Sequence, residues 1–443
     1  APVDHRFRGA APGTQPTSVS DRASGPKPNT PEDMLVCVPG LHPTSVLCVP
    51  SPHPQTPAPR RCSAHFPQLS AAAPPASRTR LAARRSIYGT ITASMSRRSS
   101  SPSVLVADIG GTNARFQVWQ LDDVLRPSRL ILEKFLPTKD YPTFDDALSA
   151  FLADPALAGH APQSAAFACA GPVARGACTM TNLGWTIDEA EVAARHGLRA
   201  TVLNDFEAVG YGVPVLPESA LLTLHHAPVQ DRAPKAVLGP GTGLGEAQLF
   251  WDEAVGNYRV CASEGSHATF APRGWKQRAL QAAVQAERGH CSVERVGCGD
   301  GLRRIYDFLG SDEPSQYPGR DLGAKRDPAA ISAAALDGSD PRAAEALDIF
   351  LSIVGAEAGH MALRGLTTGG VYICGGIFPK VLDRVRAGGV AEAFLWRDSR
   401  FHDKVLKHIP LFVVLEEKVG LLGTREQAIR LLHQQAEDVS IAT

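Results

Sequence analysis

The 443-residue chain has no excess charge of either sign: 45 Lys and Arg stand against 45 Asp and Glu. No global field therefore draws it to nucleic acid or to an anionic membrane, and neither is an expected partner; a small-molecule substrate is favoured. Cysteine is sparse and unpatterned. The nine cysteines (37, 48, 62, 169, 178, 261, 291, 298 and 374) are odd in number and form no CxxC pair, so free thiols of a reducing compartment are expected. An uninterrupted apolar run long enough to cross a bilayer is also missing. The most apolar long segment, Ala346 to Leu363, carries Asp348, Glu357 and His360, which hydrocarbon does not tolerate without partners.

Composition divides the chain near residue 100. Residues 1–100 hold sixteen of the 35 prolines and eleven arginines against four acids, with no sustained period. Residues 1–102 are therefore read as a disordered extension. Its stretch "RTRLAARRSIYGTITASMSRRSSS" is rich in Arg and Ser and free of acids, the composition of a plastid or other organelle transit peptide. Met95 stands just before the first expected strand, so upstream sequence or a plain tail competes with targeting. The expected compartment is the cytoplasm unless this segment is an address.

The full chain is 44% hydrophobic, and the part beyond residue 102 is long enough for two domains. "SVLVADI", "GGTN" and "ARFQVW" spell a strand, a glycine turn and a second strand. Short apolar runs at 164–170, 200–203, 236–238 and 370–374 each close on Gly, Asn or Pro and read as strands feeding turns. Helical periods run through 300–309 and 343–366. Thr424 with Gln427 predicts a capping box opening a last helix, and 310–328 reads as a surface loop. Mixed strands and helices argue an α/β protein, and no internal repeat stands out.

Four glycine-centred turns follow strands: "DIGGTN" (108–113), "GPGTGLG" (239–245), "SEGSH" (263–267) and "CGGI" (374–377). Glycine lets backbone N–H groups approach an anion closely, so phosphate binding competes with a purely structural role. Neither GxxxxGK[ST] nor GxGxxG occurs at these turns, which excludes Walker-type and Rossmann readings. "TVLNDFEAVGYGV" delivers Asn204 and Asp205 to a strand edge, where α/β proteins place ligand groups. Asp205 is suited to accept a hydroxyl proton while Asn204 orients hydroxyls, or Asp205 caps the next helix. Glu264, His267 and Glu294 add polar partners for a polyol. A zinc site of His267 with Cys291 and Cys298 matches no usual spacing.

These residues closely resemble the bacterial-type glucokinases of the hexokinase, actin and Hsp70 ATPase superfamily. "DIGGTNARF", "LNDFEAVGYG", "GPGTGLGEAQL", "EGSHATFAPR", "ERVGCGDGL", "GGVYICGGIFPK" and "GLLGT" follow in the family's order over 103 to about 435. The resemblance implies a two-domain actin-like ATPase (ribonuclease H-like) fold with the active site in the interdomain cleft. It implies a small domain of 103–215 plus 425–443 and a large one of 216–424. It also implies ATP-dependent phosphorylation of D-glucose at the 6-hydroxyl, feeding glycolysis. Asn204, Asp205, Gly243, Glu264, His267 and Glu294 would bind glucose, with Asp205 the general base. Gly110, Gly111, Thr112, Asn113, Gly241, Thr242 and Gly243 would cradle the ATP phosphates, and Gly375 and Gly376 would lie along the adenosine. Asp108 would organise Mg²⁺ through water. A homodimer stays open.

Ser266 departs from the common "EGGH", and no CxCGxxGC follows His267, which disfavours the related zinc-containing sugar kinases and repressors. A kinase of a related hexose, a non-catalytic sugar or nucleotide sensor and a filament-forming ATPase are the competing readings. The complete carboxylate set speaks against the last two.

Overall fold

A computed structural model describes residues 101–122, 125–180, 182–312 and 327–442, all within one compact unit. Of the extension expected over residues 1–102, the first hundred residues lie outside the described ones, as does most of the loop expected at 310–328.

The chain opens with β1 (Ser103–Ile109), β2 (Asn113–Leu121), β3 (Pro127–Pro137), α1 (Phe144–Leu152) and β4 (Ser164–Cys169). A small antiparallel meander follows, of β5 (Val173–Ala174), β6 (Ala177–Met180) and β7 (Trp185–Asp188). Then come α2 (Glu189–His196), β8 (Arg199–Asn204) and α3 (Asp205–Gly212). β1 and β4 are almost wholly buried, as near-continuous apolar strands covered on both faces must be. They sit in a five-stranded sheet of order β3-β2-β1-β4-β8. One face carries a core of packed aromatics, with Phe116 stacked on Phe151 and Phe144 meeting Phe167 and Trp185 edge-on.

The second lobe contains β9 (Leu221–His225), β10 (Lys235–Pro240), β11 (Leu244–Asp252) and β12 (Asn257–Ser263). Its helices are α4 (Gly274–Arg288), α5 (Glu294–Gly297), α6 (Gly299–Asp312), α7 (Pro328–Leu336) and α8 (Pro341–Gly365). After β13 (Val371–Ile373) come α9 (Leu382–Arg386), α10 (Gly389–Leu395), α11 (Ser399–Lys404) and β14 (Leu411–Val414), and α12 (Val419–Ala442) closes the chain. The second sheet has the order β12-β11-β10-β13-β14-β9. α8 is apolar and long enough to span a membrane by composition, but 72% of its most apolar window is buried inside the fold. It is the core helix of this lobe.

The two sheets repeat one plan. In each, a central strand starts an antiparallel run of three on one side, β1-β2-β3 and β10-β11-β12, and a parallel run of three on the other, β1-β4-β8 and β10-β13-β14. The duplicated plan is the actin-like ATPase fold expected from the resemblance. No repeat is visible in the sequence because strand direction and turn position recur, while the residues do not.

α12 returns to the first sheet: Leu421, Ala428, Ile429 and Leu432 pack on Val104, Val106 and Ala166, and Ser164 Oγ donates to the Ala428 carbonyl at 2.7 Å. The expected start of this helix needs correction. It begins at Val419, so Thr424 is not a cap; fully buried inside the helix, it donates back to the Gly420 carbonyl at 2.8 Å. Burial of Val419 and Leu421 extends the helix upstream of its local start signal.

α12 crosses α3 where Gly423 faces the backbone of Ala208 and Gly212, leaving no room for a side chain. Gly423→Ala is expected to destabilise the chain by about 1–3 kcal/mol through overpacking, read as a lowered midpoint in thermal denaturation. Gly420→Ala, which meets Val209 only at ordinary contact distance, is the control expected to hold or gain slightly.

Candidate active site

Two glycine hairpins and one strand-to-helix junction converge from the two lobes. The first hairpin is tied off internally: Gly110 N donates to the Asn113 carbonyl at 3.0 Å, and Thr138 donates through N to Thr112 and through Oγ1 to Gly111. These bonds engage the turn carbonyls, and amide N–H groups are what a phosphate needs. In the second hairpin Gly241 N donates to the Gly243 carbonyl at 2.8 Å, and Gly299 N at the start of α6 donates to the Gly241 carbonyl at 2.9 Å. A side chain on Gly111, Gly241 or Gly376 would meet nothing within 4 Å, so the protein leaves open space over both hairpins and over the turn after β13. Gly375, at φ +92°, packs against the Pro240 carbonyl, which joins that turn to the second hairpin.

Asn204 and Asp205 mark the end of β8. Asn204 is the N-cap of α3; its Oδ1 accepts from Phe206 N at 2.9 Å and Glu207 N at 3.2 Å, while Nδ2 donates to the Gly171 carbonyl at 3.1 Å. The same amide also bonds to the Asp205 carboxyl group. The capping role considered for Asp205 thus belongs to Asn204. Asp205 is open to solvent in the first turn, with Oδ1 accepting from Phe206 N. Desolvation pushes its carboxyl above the usual range, against the pull of nearby N–H groups and the Asn204 amide, and the charge of Glu264 adds to the rise. Asp108, at the end of β1, is likewise raised, first by desolvation and then by Asp205, with Arg115 opposing.

Across from them stand Glu264, His267 and Glu294. His267 lies between the two acids, Nε2 at 3.4 Å from Glu264 and Nδ1 at 3.8 Å from Glu294. Glu294 Oε2 accepts from Leu244 N at 3.0 Å, and a side chain on Gly243 would overlap that oxygen. The Glu264 side chain is 84% exposed, while its carbonyl accepts from His267 N at 3.1 Å and closes the turn. Ser266 is buried beneath the turn, so the departure from two glycines leaves Glu264 and His267 on the open side. The structure therefore brings Gly243, Glu264, His267 and Glu294 together, places Asp108 and Asp205 within electrostatic reach of one another, and couples Asp205 to Glu264. Thr242 and Thr112 ride on their hairpins. No group of three or more His, Cys, Asp and Glu able to hold a metal alone occurs among the described residues, and the six described cysteines are free.

Two contributors escaped the sequence reading. Arg115 is the β-pair partner of Asp108 and forms an ion pair with Glu133; hairpin register was the signal that could have found it. Phe206 lies against Gly239 and Gly245 of the second hairpin, a long-range contact with no local signature.

The family model "Glucokinase" matches residues 105–430. The chain belongs to the glucokinase family. It is 35% identical over 347 residues to a glucokinase of Synechocystis, covering 72% of this chain and 96% of that one. A glucokinase of Chromohalobacter salexigens is 35% identical over 328 residues, covering 73% and 96%. The crystal structure of a glucokinase from an Antarctic psychrotroph superposes with a TM-score of 0.65 at 28% identity, covering 74% of this chain and 98% of that one.

A glucokinase-family cleft that crowds carboxylates is strained without ligands, and the sign of the strain follows from Asp108. Its pKa is raised on folding, so the ionised form burdens the folded state at neutral pH, and the burden disappears as pH falls below the unfolded value. Asp108→Asn is expected to raise the thermal midpoint of the ligand-free chain at pH 7 by about a degree or more while lowering turnover. The wild-type and variant midpoints should converge in acid.

Proposed function

We propose that the chain transfers the γ-phosphoryl group of ATP to the 6-hydroxyl of D-glucose, giving glucose 6-phosphate and ADP as an entry step of glycolysis. The observation that carries this reading is an open carboxylate, Asp205, whose neighbour Phe206 lies on the second glycine hairpin and which is in electrostatic reach of Asp108 at the end of the first strand and of Glu264.

In this reading Glu264, His267, Glu294 and the Asn204 amide hold the sugar hydroxyls. Asp205 accepts the proton of the 6-hydroxyl as that oxygen bonds to the γ-phosphorus; the bond from phosphorus to the β,γ-bridging oxygen breaks, and ADP leaves. The hairpins Gly110–Asn113 and Gly241–Gly243 hold the phosphates, and Gly375 and Gly376 leave room along the adenosine. Closure of the lobes keeps water from competing for the phosphoryl group.

The donor set suits Mg²⁺. Asp108 is a carboxylate whose charge is under-compensated in the free protein, and Mg²⁺ is typically held by one or two carboxylates with waters and substrate phosphates. Asp108 would hold the ion through water, where it neutralises charge developing on the phosphates.

Asp205→Asn is expected to lower kcat about 10²–10⁴-fold with glucose affinity retained, measured with Mg-ATP and glucose in a coupled assay. Equal loss of affinity and turnover would make Asp205 a binding group only. Because the base works ionised and its carboxyl is raised, the acid limb of the wild-type kcat profile should lie above the ordinary aspartate value of 3.8.

A further inference from the structure

Glu246 is a carboxylate the mechanism does not use, and it is buried to 2% exposure. It pairs in register with Leu238 of β10 and Ser263 of β12. Alternation along β11 sends Ala247 and Leu249 to one face, against Tyr258 and Tyr372, and Glu246 to the other, against α8. Oε1 is buried without a hydrogen-bond partner. Oε2 lies against Gly265, the residue between Glu264 and Ser266, closely enough that a methyl group on Gly265 would collide with it.

We propose that Glu246 is a positioning residue for sugar binding: its buried carboxyl group, held between α8 and Gly265, sets the height of the turn that presents Glu264 and His267 to the cleft. This rests on the reading of Glu264 and His267 as sugar-binding groups.

The surroundings fix the form in which Glu246 does this. On α8, Glu357 is itself buried but is held below the usual range by His360 and Arg364, both at 2.9 Å. Arg397 reaches the same helix at the Ala356 carbonyl. On the cleft side stand Glu264 and His267, with Glu294 behind them. Desolvation, reinforced by the charge of Glu357 and opposed by Arg364, pushes the Glu246 carboxyl up to about 8. Below that pH it is neutral and compatible with its pocket. Above it, a second negative charge stands beside Glu357 in a place that cannot solvate it, and the side open to relief is the Gly265 turn.

The test is the pH dependence of the glucose KM of the full chain between pH 6.5 and 9.5, with the KM for ATP as control. The wild-type glucose KM should rise severalfold above pH 8, and the profile of Glu246→Gln, which keeps the neutral shape, should stay nearly flat there. Geometry gives a second readout: Gly265→Ala should raise the glucose KM severalfold, and adding Glu246→Ala should relieve a large part of that rise. Superimposable wild-type and Glu246→Gln profiles, or a double variant no better than Gly265→Ala alone, would overturn the proposal. Glu264→Gln keeps the two readings apart: if it leaves glucose affinity intact, the sugar-site assignment fails whatever Glu246 does.

Discussion

The structure depends on one close approach, the ring of Phe206 lying on the backbone of Gly239 and Gly245. Phe206 follows Asp205 at the start of α3, and the two glycines belong to the second hairpin. The contact fixes where the carboxylate of the first lobe stands relative to the turn expected to hold phosphate in the second. Its other support is α12, which lies on the first sheet and crosses α3 through Gly423. Because α12 comes last in the chain, the first lobe is complete only after the second has been made. Such tight backbone contacts make this junction a rigid support, since close-packed interiors yield little to strain.

Electrostatics runs in the opposite sense to packing. Asp205 raises the cost of ionising Asp108, and Glu264 raises that of Asp205. A free protein gains nothing from this arrangement. It becomes favourable when cations and hydroxyl donors enter the cleft, so the site holds in advance the charge that ligands must compensate. Glu294 is the exception, being anchored by Leu244 N, and it gives the sugar side a fixed edge beside the exposed Glu264.

The fold class and the candidate site residues were both readable from the sequence through the turns that end its strands, for physical reasons. Asp108 to Asn113, Asn204 with Asp205, and Glu264 to His267 each sit where an apolar strand ends in a turn, and strand and turn are both short-range signals. What depends on register or on distant packing was not legible. Arg115 enters through its pairing with Asp108, Glu246 through the alternation of β11 against α8, and the duplicated strand order through topology alone. Thr424 shows a local signal failing: the Thr and Gln spacing of a capping box is present, yet burial of Val419 and Leu421 carries the helix past it.

The central claim is that both lobes hold one sugar so that Asp205 directs phosphoryl transfer to its 6-oxygen. The most direct measurement is the phosphorus NMR spectrum of purified full-length chain incubated with Mg-ATP and D-glucose. The account predicts that ATP is converted to ADP with glucose 6-phosphate as the stoichiometric product. ADP accumulating with inorganic phosphate alone, or a phosphate ester on another hydroxyl, would contradict it.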